Sequence, residues 1–279
     1  MSALPGRLVL LGHPVAHSRS PAFQNAALRS AGLPLVYEAM DVPPSELAGV
    51  VRQLELQNAA GNVTVPHKEA VAQLCARVSN TAARAGAVNT FRTEGGSLVG
   101  DNTDVAGFNA LARHVAGSEP RKAQIALLGA GGAAAAALVA MDDWVGCTIS
   151  LFSRRRDRAQ QLVERLASSA RPTDSVQSAV SGAGIVINAT PLGIAAGDEL
   201  PVPISELPAG ALVIDLNYAP GETRWVREAR ENGFTAADGS IMLLEQGVES
   251  FRRWFGIDPD VNAMREALRQ EGLDATGAA

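Results

Sequence analysis

Between residues 7 and 78, short apolar runs alternate with stretches whose apolar residues recur at helical spacing. "RLVLLG", "VYEAMDV" and "AGNVTVP" read as strands; "SPAFQNAALRSAG", "PSELAGVVRQLEL" and "PHKEAVAQLCARV" read as helices. Strand and helix in alternation predict mostly parallel strands covered by helices. Two further strand patterns, "AVNTFRT" and "SLVGDNT", flank "EGG", a turn signal that predicts a hairpin. A helix over "DVAGFNALARHVA" and the polar break "GSEPRK" follow. The alternation resumes at "AQIALLGAGGAAAAALVAM" and runs through "CTISLFSRR", "DRAQQLVERLAS", "AGIVINATP", "ALVIDLNY" and "FTAADG". A last long helix, "SIMLLEQGVESFRRWFG", is expected to return to the first unit, and the tail "EGLDATGAA" has little to bury and is expected to fray.

The pattern therefore predicts two α/β domains. Residues 1–104, completed by C-terminal helices over 241–279, form the first, with a mixed, mainly parallel sheet; residues 105–240 form the second. A length of 279 residues agrees with about two domains. The net charge of −5 and the scattered basic residues disfavour nucleic-acid and membrane partners and point to a small-molecule substrate. Cys75 and Cys147 lack ligand spacing and read as buried free thiols of a reducing compartment. The N-terminal apolar run is too short for a signal-peptide core or a membrane span, so a cytoplasmic chain is expected. Four scattered histidines without ligand spacing predict no metal site, and His67 and His114 read as helix-surface residues.

In "IALLGAGGAAAAALVA" the glycines fall at Gly129 and Gly131, with Ala134 in the third position of a GxGxx(G/A) pattern. An apolar strand precedes the loop and a small-residue helix follows it, so backbone N–H groups and the helix N-terminus would meet a pyrophosphate. An NAD site wants an acidic side chain at the end of the next strand, to hold the ribose 2′-hydroxyl. Here Ser153 is followed by Arg154, Arg155, Arg156 and Arg158. Three consecutive arginines repel one another unless an anion sits among them, and their forks suit phosphate. The second domain thus reads as Rossmann-type and NADP-binding.

"NVTVPHK" places Lys68 in the first turn of a helix expected to open at Pro66. That end of a helix carries partial positive charge and favours acidic side chains, so the local field eases loss of the lysine's proton. A solvated surface lysine beside Glu69 accounts equally for the residues. "GHPVAHSRSP" follows the first strand, and its Ser18 and Ser20 offer either two hydroxyl donors to an anion or ordinary helix caps. "AGAVNT" supplies Asn89 and Thr90, and "GDNTDVAG" supplies Asp101, Asn102 and Asp104, the last also readable as an N-cap.

Taken in order, "GHPVAHSRSP", "NVTVPHK", "GAVNT", "GDNTD", "GAGGA", "NATPLG", "DLNYAPGET" and "DGSIMLLEQG" resemble the signatures of the shikimate dehydrogenase family, from about residue 12 to residue 247. The resemblance implies a two-domain enzyme that reduces 3-dehydroshikimate to shikimate with NADPH. It implies that Lys68 and Asp104 are the catalytic pair. It carries substrate contacts over to Ser18 and Ser20 for the carboxylate, to Thr64, Asn89 and Gln246 for the ring hydroxyls, and to Tyr218 near the substrate. It assigns the cofactor to Gly129, Ala130, Gly131, Gly132 and Ala133, to Ser153, Arg154, Arg155 and Arg158, and to Thr190 and Gly239. Ser153 departs from the family's usual asparagine, Gln24 from a frequent histidine, and Ile194 from a common methionine. A monomer or homodimer is expected. The alternatives are a quinate/shikimate dehydrogenase with broader substrate or NAD use, and a non-catalytic NADP-binding homologue.

Overall fold

A computed structural model describes residues 4–166, 169–195 and 197–275. The chain divides into two compact units, Met1–Asp104 with Leu243–Glu271, and Val105–Met242 with Gly272–Ala279.

The first unit runs β1 (Arg7–Gly12), α1 (Ser20–Ser30), β2 (Tyr37–Asp41), α2 (Leu47–Leu56), β3 (Ala59–Val63), α3 (Lys68–Leu74), β4 (Arg77–Val78), α4 (Asn80–Ala85), β5 (Thr90–Glu94) and β6 (Ser97–Asp101). Its six-stranded sheet has the order β2-β1-β3-β5-β6-β4. Strand β1 runs parallel to β2 and β3, and β4 parallel to β6, while β5 is antiparallel to both its neighbours. The β5–β6 hairpin turns on Gly95 and Gly96, with φ of +59° and +81°, a left-handed pair that side chains rarely adopt. Strand β3 is buried along its whole length. A Cβ at Gly61 would lie 1.9 Å from the Val9 carbonyl oxygen, so only glycine lets β1 and β3 approach as they do.

Register decides where polar residues collect. Asn62 on β3 pairs with Thr90 on β5, and Thr90 pairs with Asp101 on β6. The ends of β1, β3 and β6 and the start of β5 therefore share one edge of the sheet. The loops carrying Ser18, Thr64, Lys68, Asn89 and Asp104 all leave from that edge.

Three features differ from the sequence expectation. The helix expected over 66–78 stops at Leu74; Cys75 turns extended, and the Ala76 N–H donates to the Leu98 carbonyl at 2.9 Å, so "RV" becomes strand β4. His67 is not a surface residue: it is the N-cap position of α3, 1% exposed, with its ring Nε2 2.7 Å from the Val42 carbonyl oxygen. Cys75 is only half-buried, whereas Cys147 is buried, and both thiols are free.

The second unit continues through α5 (Asp104–Ala116), β7 (Gln124–Leu128), α6 (Gly132–Met141), β8 (Thr148–Phe152), α7 (Arg156–Leu166), β9 (Ala170–Pro172), α8 (Val176–Val180), β10 (Ile185–Asn188), β11 (Leu212–Asp215), α9 (Arg224–Glu231) and β12 (Ala236–Ala237). Its sheet is parallel throughout, in the order β12-β11-β10-β7-β8-β9. The chain winds outward one way from β7 through β8 to β9 and the other way from β10 through β11 to β12. This is the doubly wound order, and the crevice at the strand carboxyl ends, where β7 meets β10, is where such sheets take ligands. Every residue of α6 from Ala134 to Met141 is buried, because its alanines allow close packing on the sheet.

Helix α10 (Ser240–Phe255) begins in the second unit and, from Leu243 on, belongs with α11 (Val261–Gln270) to the first. Helix α11 packs on α1, and Gln24 donates to the Gly247 carbonyl at 2.9 Å. The tail does not simply fray and does not complete the first unit. Leu273 and Ala275 are 1% and 5% exposed, and the Gly221 N–H donates to the Gly272 carbonyl, drawing this stretch to the second unit. Residues 276–279 lie outside the described residues.

Candidate active site

In the first unit Lys68 occupies the first turn of α3, and its ammonium donates to Asp104 Oδ2 at 2.5 Å. The two side chains are 20% and 7% exposed, a half-buried ion pair at the sheet edge. Asp104 does not cap its own helix with its side chain. The Asn102 carboxamide oxygen accepts the Asp104 N–H at 3.1 Å instead, which frees the carboxylate for Lys68 and for Asn89. Asn89 Nδ2 donates to Asp104 Oδ1 at 2.8 Å and to Thr103 Oγ1 at 3.0 Å, and lies 3.3 Å from Gln246 Oε1. The Thr103 N–H donates back to Asn89 Oδ1 at 2.7 Å, fixing which way the carboxamide faces. Four of the residues expected at the substrate, Lys68, Asp104, Asn89 and Gln246, are therefore one connected cluster.

Beneath this cluster lies Asn62, which the sequence reading passed over. It is 4% exposed, accepts from the Tyr37 hydroxyl at 2.8 Å, and donates to the Asn89 carbonyl and to Ser250 Oγ at 3.1 and 2.8 Å. Its place in the motif carrying Thr64 and Lys68 was the available signal.

Ser18 and Ser20 lie in the β1–α1 connection, Ser20 buried and Ser18 half-buried. Neither is the N-cap of α1: that position is Arg19, which makes no side-chain cap bond, Pro21 has no N–H, and the Ala22 N–H donates to the Arg19 carbonyl at 3.2 Å. Ser18 Oγ accepts the Ser20 N–H at 3.3 Å. A Cβ at Gly12 would lie 2.5 Å from Thr64 Cγ2, so the absent side chain is what lets the loop after β3 pack against the end of β1.

The second unit holds a cavity of about 510 Å³ at the carboxyl ends of β7, β8 and β10. Gly129, Ala130, Gly131, Ser153, Arg154, Arg155, Arg158 and Thr190 line it. Gly132 and Ala133 do not; they open α6 behind the loop. Gly129 has φ +113°, and a Cβ there would lie 2.5 Å from the Ala189 carbonyl oxygen, while nothing lies within 4 Å of a Cβ at Gly131. The backbone is thus bare toward the cavity. Among the described residues no carboxylate pairs with Arg154, Arg155 or Arg158, which are all exposed. A bare glycine turn at a helix N-terminus and three guanidinium groups free of carboxylates suit a dinucleotide whose ribose carries a phosphate. Gly239 lies off this cavity: its N–H donates to the Asn217 carbonyl at 2.7 Å. Tyr218 follows β11 in the second unit, half-buried.

Behind the cavity sits a buried carboxylate, Asp215, 0% exposed. Burial pushes its carboxyl up from 3.8 to about 7, against the pull of hydrogen bonds from Asn217 and Asn188, and the neighbouring Asp238 carboxylate adds to the rise. The folded chain therefore keeps a proton on Asp215 between pH 3.8 and about 7, where the unfolded chain has released it. Stability carried by this group is lost as pH rises through that window. We expect the unfolding free energy of wild type relative to Asp215→Asn to fall over this range in urea titrations; a difference that stays flat or rises with pH would contradict the assignment.

The glycine turn and guanidinium groups of one unit suit a phosphorylated dinucleotide, the lysine–carboxylate pair of the other suits acid–base chemistry, and the chain is an NADP-dependent oxidoreductase acting on a CH–OH group. The model of the shikimate dehydrogenase substrate-binding domain matches residues 10–91, and that of the shikimate 5′-dehydrogenase C-terminal domain matches residues 242–269. Shikimate dehydrogenase (NADP(+)) of Rubrobacter xylanophilus is 46% identical over 271 residues, which cover 94% of this chain and 95% of that one. Shikimate 5-dehydrogenase of Thermus thermophilus, solved with NADP(H) and shikimate, is 37% identical with a TM-score of 0.83, covering 96% of this chain and 99% of its own. Quinate dehydrogenase of Corynebacterium glutamicum, solved with NAD, has a TM-score of 0.86 at 29% identity, covering 94% and 98%. The chain belongs to the shikimate dehydrogenase family.

Proposed function

We propose that this chain catalyses the reversible reduction of 3-dehydroshikimate to shikimate with NADPH, with Lys68 as the proton donor and Asp104 as its partner. The observation that carries the assignment of roles is the 2.5 Å contact between Lys68 Nζ and Asp104 Oδ2. Reducing a ring ketone builds negative charge on the carbonyl oxygen, which must be stabilised and protonated. The Lys68 ammonium has three N–H donors; one is spent on Asp104, leaving others for the developing oxyanion. As the proton leaves, Asp104 retains the neutral amine in place, and in the oxidative direction that amine takes the proton back. Asn89 holds the second Asp104 oxygen, so the carboxylate cannot turn away. NADPH bound in the second unit supplies the hydride from C4 of its nicotinamide.

The hydroxyls of Ser18 and Ser20 suit the substrate carboxylate, and Thr64, Asn89 and Gln246 the ring hydroxyls, with Tyr218 as a further substrate contact. Gly129, Ala130 and Gly131 receive the pyrophosphate, with Gly132 and Ala133 opening α6 behind them; Ser153, Arg154, Arg155 and Arg158 receive the 2′-phosphate, and Thr190, not the more distant Gly239, completes the cavity wall. Residues 1–104 with 243–271 act as the substrate domain, and 105–242 as the NADP domain, to which the stretch from 272 is drawn. No helix among the described residues is long and apolar enough to cross a membrane. The free thiols Cys75 and Cys147 suit work in the cytoplasm, as a monomer or homodimer.

Steady-state rates with shikimate and with quinate, each with NADP(+) and NAD(+), test the reading. Shikimate with NADP(+) should give the highest kcat/KM. Equal rates with all four pairs would replace it with a broad quinate/shikimate activity.

A further inference from the structure

The cofactor cavity owes its shape on the β10 side to residues that never reach its surface. The loop Ala189–Thr190–Pro191–Leu192 forms that wall. It is held from behind by two carboxamides. Asn188 Oδ1 accepts the Thr190 N–H at 2.9 Å and the Thr190 hydroxyl at 2.7 Å, while Asn188 Nδ2 donates to the Leu192 carbonyl at 3.2 Å. Asn217 Nδ2 donates to the Thr190 carbonyl at 2.8 Å. Both depend on one acid. Asp215 Oδ1 accepts from Asn188 Nδ2 at 2.9 Å and from the Asn217 N–H at 3.0 Å.

Resting on the NADP-dependent reading above, we infer that Asp215 is a positioning residue for the cofactor: by orienting Asn188 and the Asn217 backbone it fixes the Thr190–Leu192 wall of the NADP cavity without touching the ligand. The reason lies in the chemistry of a carboxamide. Its oxygen and nitrogen are alike in shape, so a buried Asn188 without an acceptor on its nitrogen side could turn over and present N–H₂ to the Thr190 N–H. Ionised, as it is above about pH 7 where the measurements below are made, the acid forbids that orientation, because a carboxylate oxygen at the nitrogen end accepts only from the NH₂ group. Strand register supplies the placement: Asn188 and Asp215 are paired residues of β10 and β11. A fully buried carboxylate is an expensive way to fill space, and an apolar side chain would serve a purely structural role better.

The test uses Asp215→Asn, which keeps volume and one acceptor, and Asn217→Ala, which sits at a half-buried position and removes only the tie to the loop. Calorimetric Kd values for NADPH and for shikimate are measured separately on each folded protein, with KM and kcat. Lost folding alone reduces the active fraction, lowering kcat while leaving both KM values unchanged. The inference requires KM and Kd for the cofactor to rise about tenfold in Asp215→Asn and roughly threefold or more in Asn217→Ala, with the shikimate Kd unchanged. Unaltered cofactor affinity in either folded variant, or an equal loss for both ligands, overturns it. Should Asp215→Asn not fold, Asn217→Ala decides alone. Failure of wild type to bind NADPH would instead overturn the NADP reading itself.

Discussion

Replacing Lys68 with alanine is expected to lower kcat for shikimate oxidation by about a thousandfold while NADP(+) binding stays intact. On the role proposed for Lys68, both the stabilisation of the oxyanion and the delivery of its proton leave with the ammonium. The lysine side chain stands in the first turn of α3, outside the apolar core cluster of its unit, so its removal takes no member from that core. Asp104 keeps the Asn89 donor on its other oxygen, which limits the penalty of the carboxylate left behind. Lys68→Arg separates the two contributions. Guanidinium keeps the charge and can donate to Asp104, but it does not release a proton at working pH. A variant that recovers substrate affinity but not kcat shows that proton transfer is the larger part. Near-full turnover in Lys68→Ala, measured with both substrates saturating, would remove the lysine from the mechanism.

Much of the fold and part of the site are legible in the sequence, and what is not has physical causes. Buried parallel strands leave unbroken apolar runs, so β1, β7, β10 and β11 stood out, as did the hairpin on its two glycines. Strands β4 and β9, of two and three residues, carry no periodicity to read. The end of α3 was missed because "CARV" continues the helical spacing, while its backbone is claimed by β6. His67 looked exposed because an N-cap residue sits at the start of a polar turn; its ring folds back onto the Val42 carbonyl. Lys68 and Asp104 lie 36 residues apart, and no local pattern joins them. The resemblance named both, and the register of Asn62, Thr90 and Asp101 explains why they meet. Asn188 and Asp215 stand in the strand patterns "AGIVINATP" and "ALVIDLNY", but nothing in either run says that they touch; only the pairing of β10 with β11 makes them a buried contact.

Removing Arg154 and Arg155 together is expected to lower kcat/KM for NADP(+) by about a hundredfold and to change that for NAD(+) by no more than about twofold. Each guanidinium lines the cavity without a carboxylate partner among the described residues, so its charge is uncompensated until a phosphate arrives. NAD(+) brings no such group and should not register the loss. Arg156 provides the control within the same run of charge: it does not line the cavity and is paired with Asp174. Arg156→Ala should leave both cofactors unaffected, which separates a bound phosphate from a general decline in positive potential. The serine at 153 sharpens the expectation, because its hydroxyl accepts the Arg155 N–H at 3.3 Å and so shapes the turn. With that hydroxyl engaged, discrimination between the cofactors rests on the arginines, and an equal loss for NADP(+) and NAD(+) in the double variant would show that they serve the loop's fold and not the phosphate.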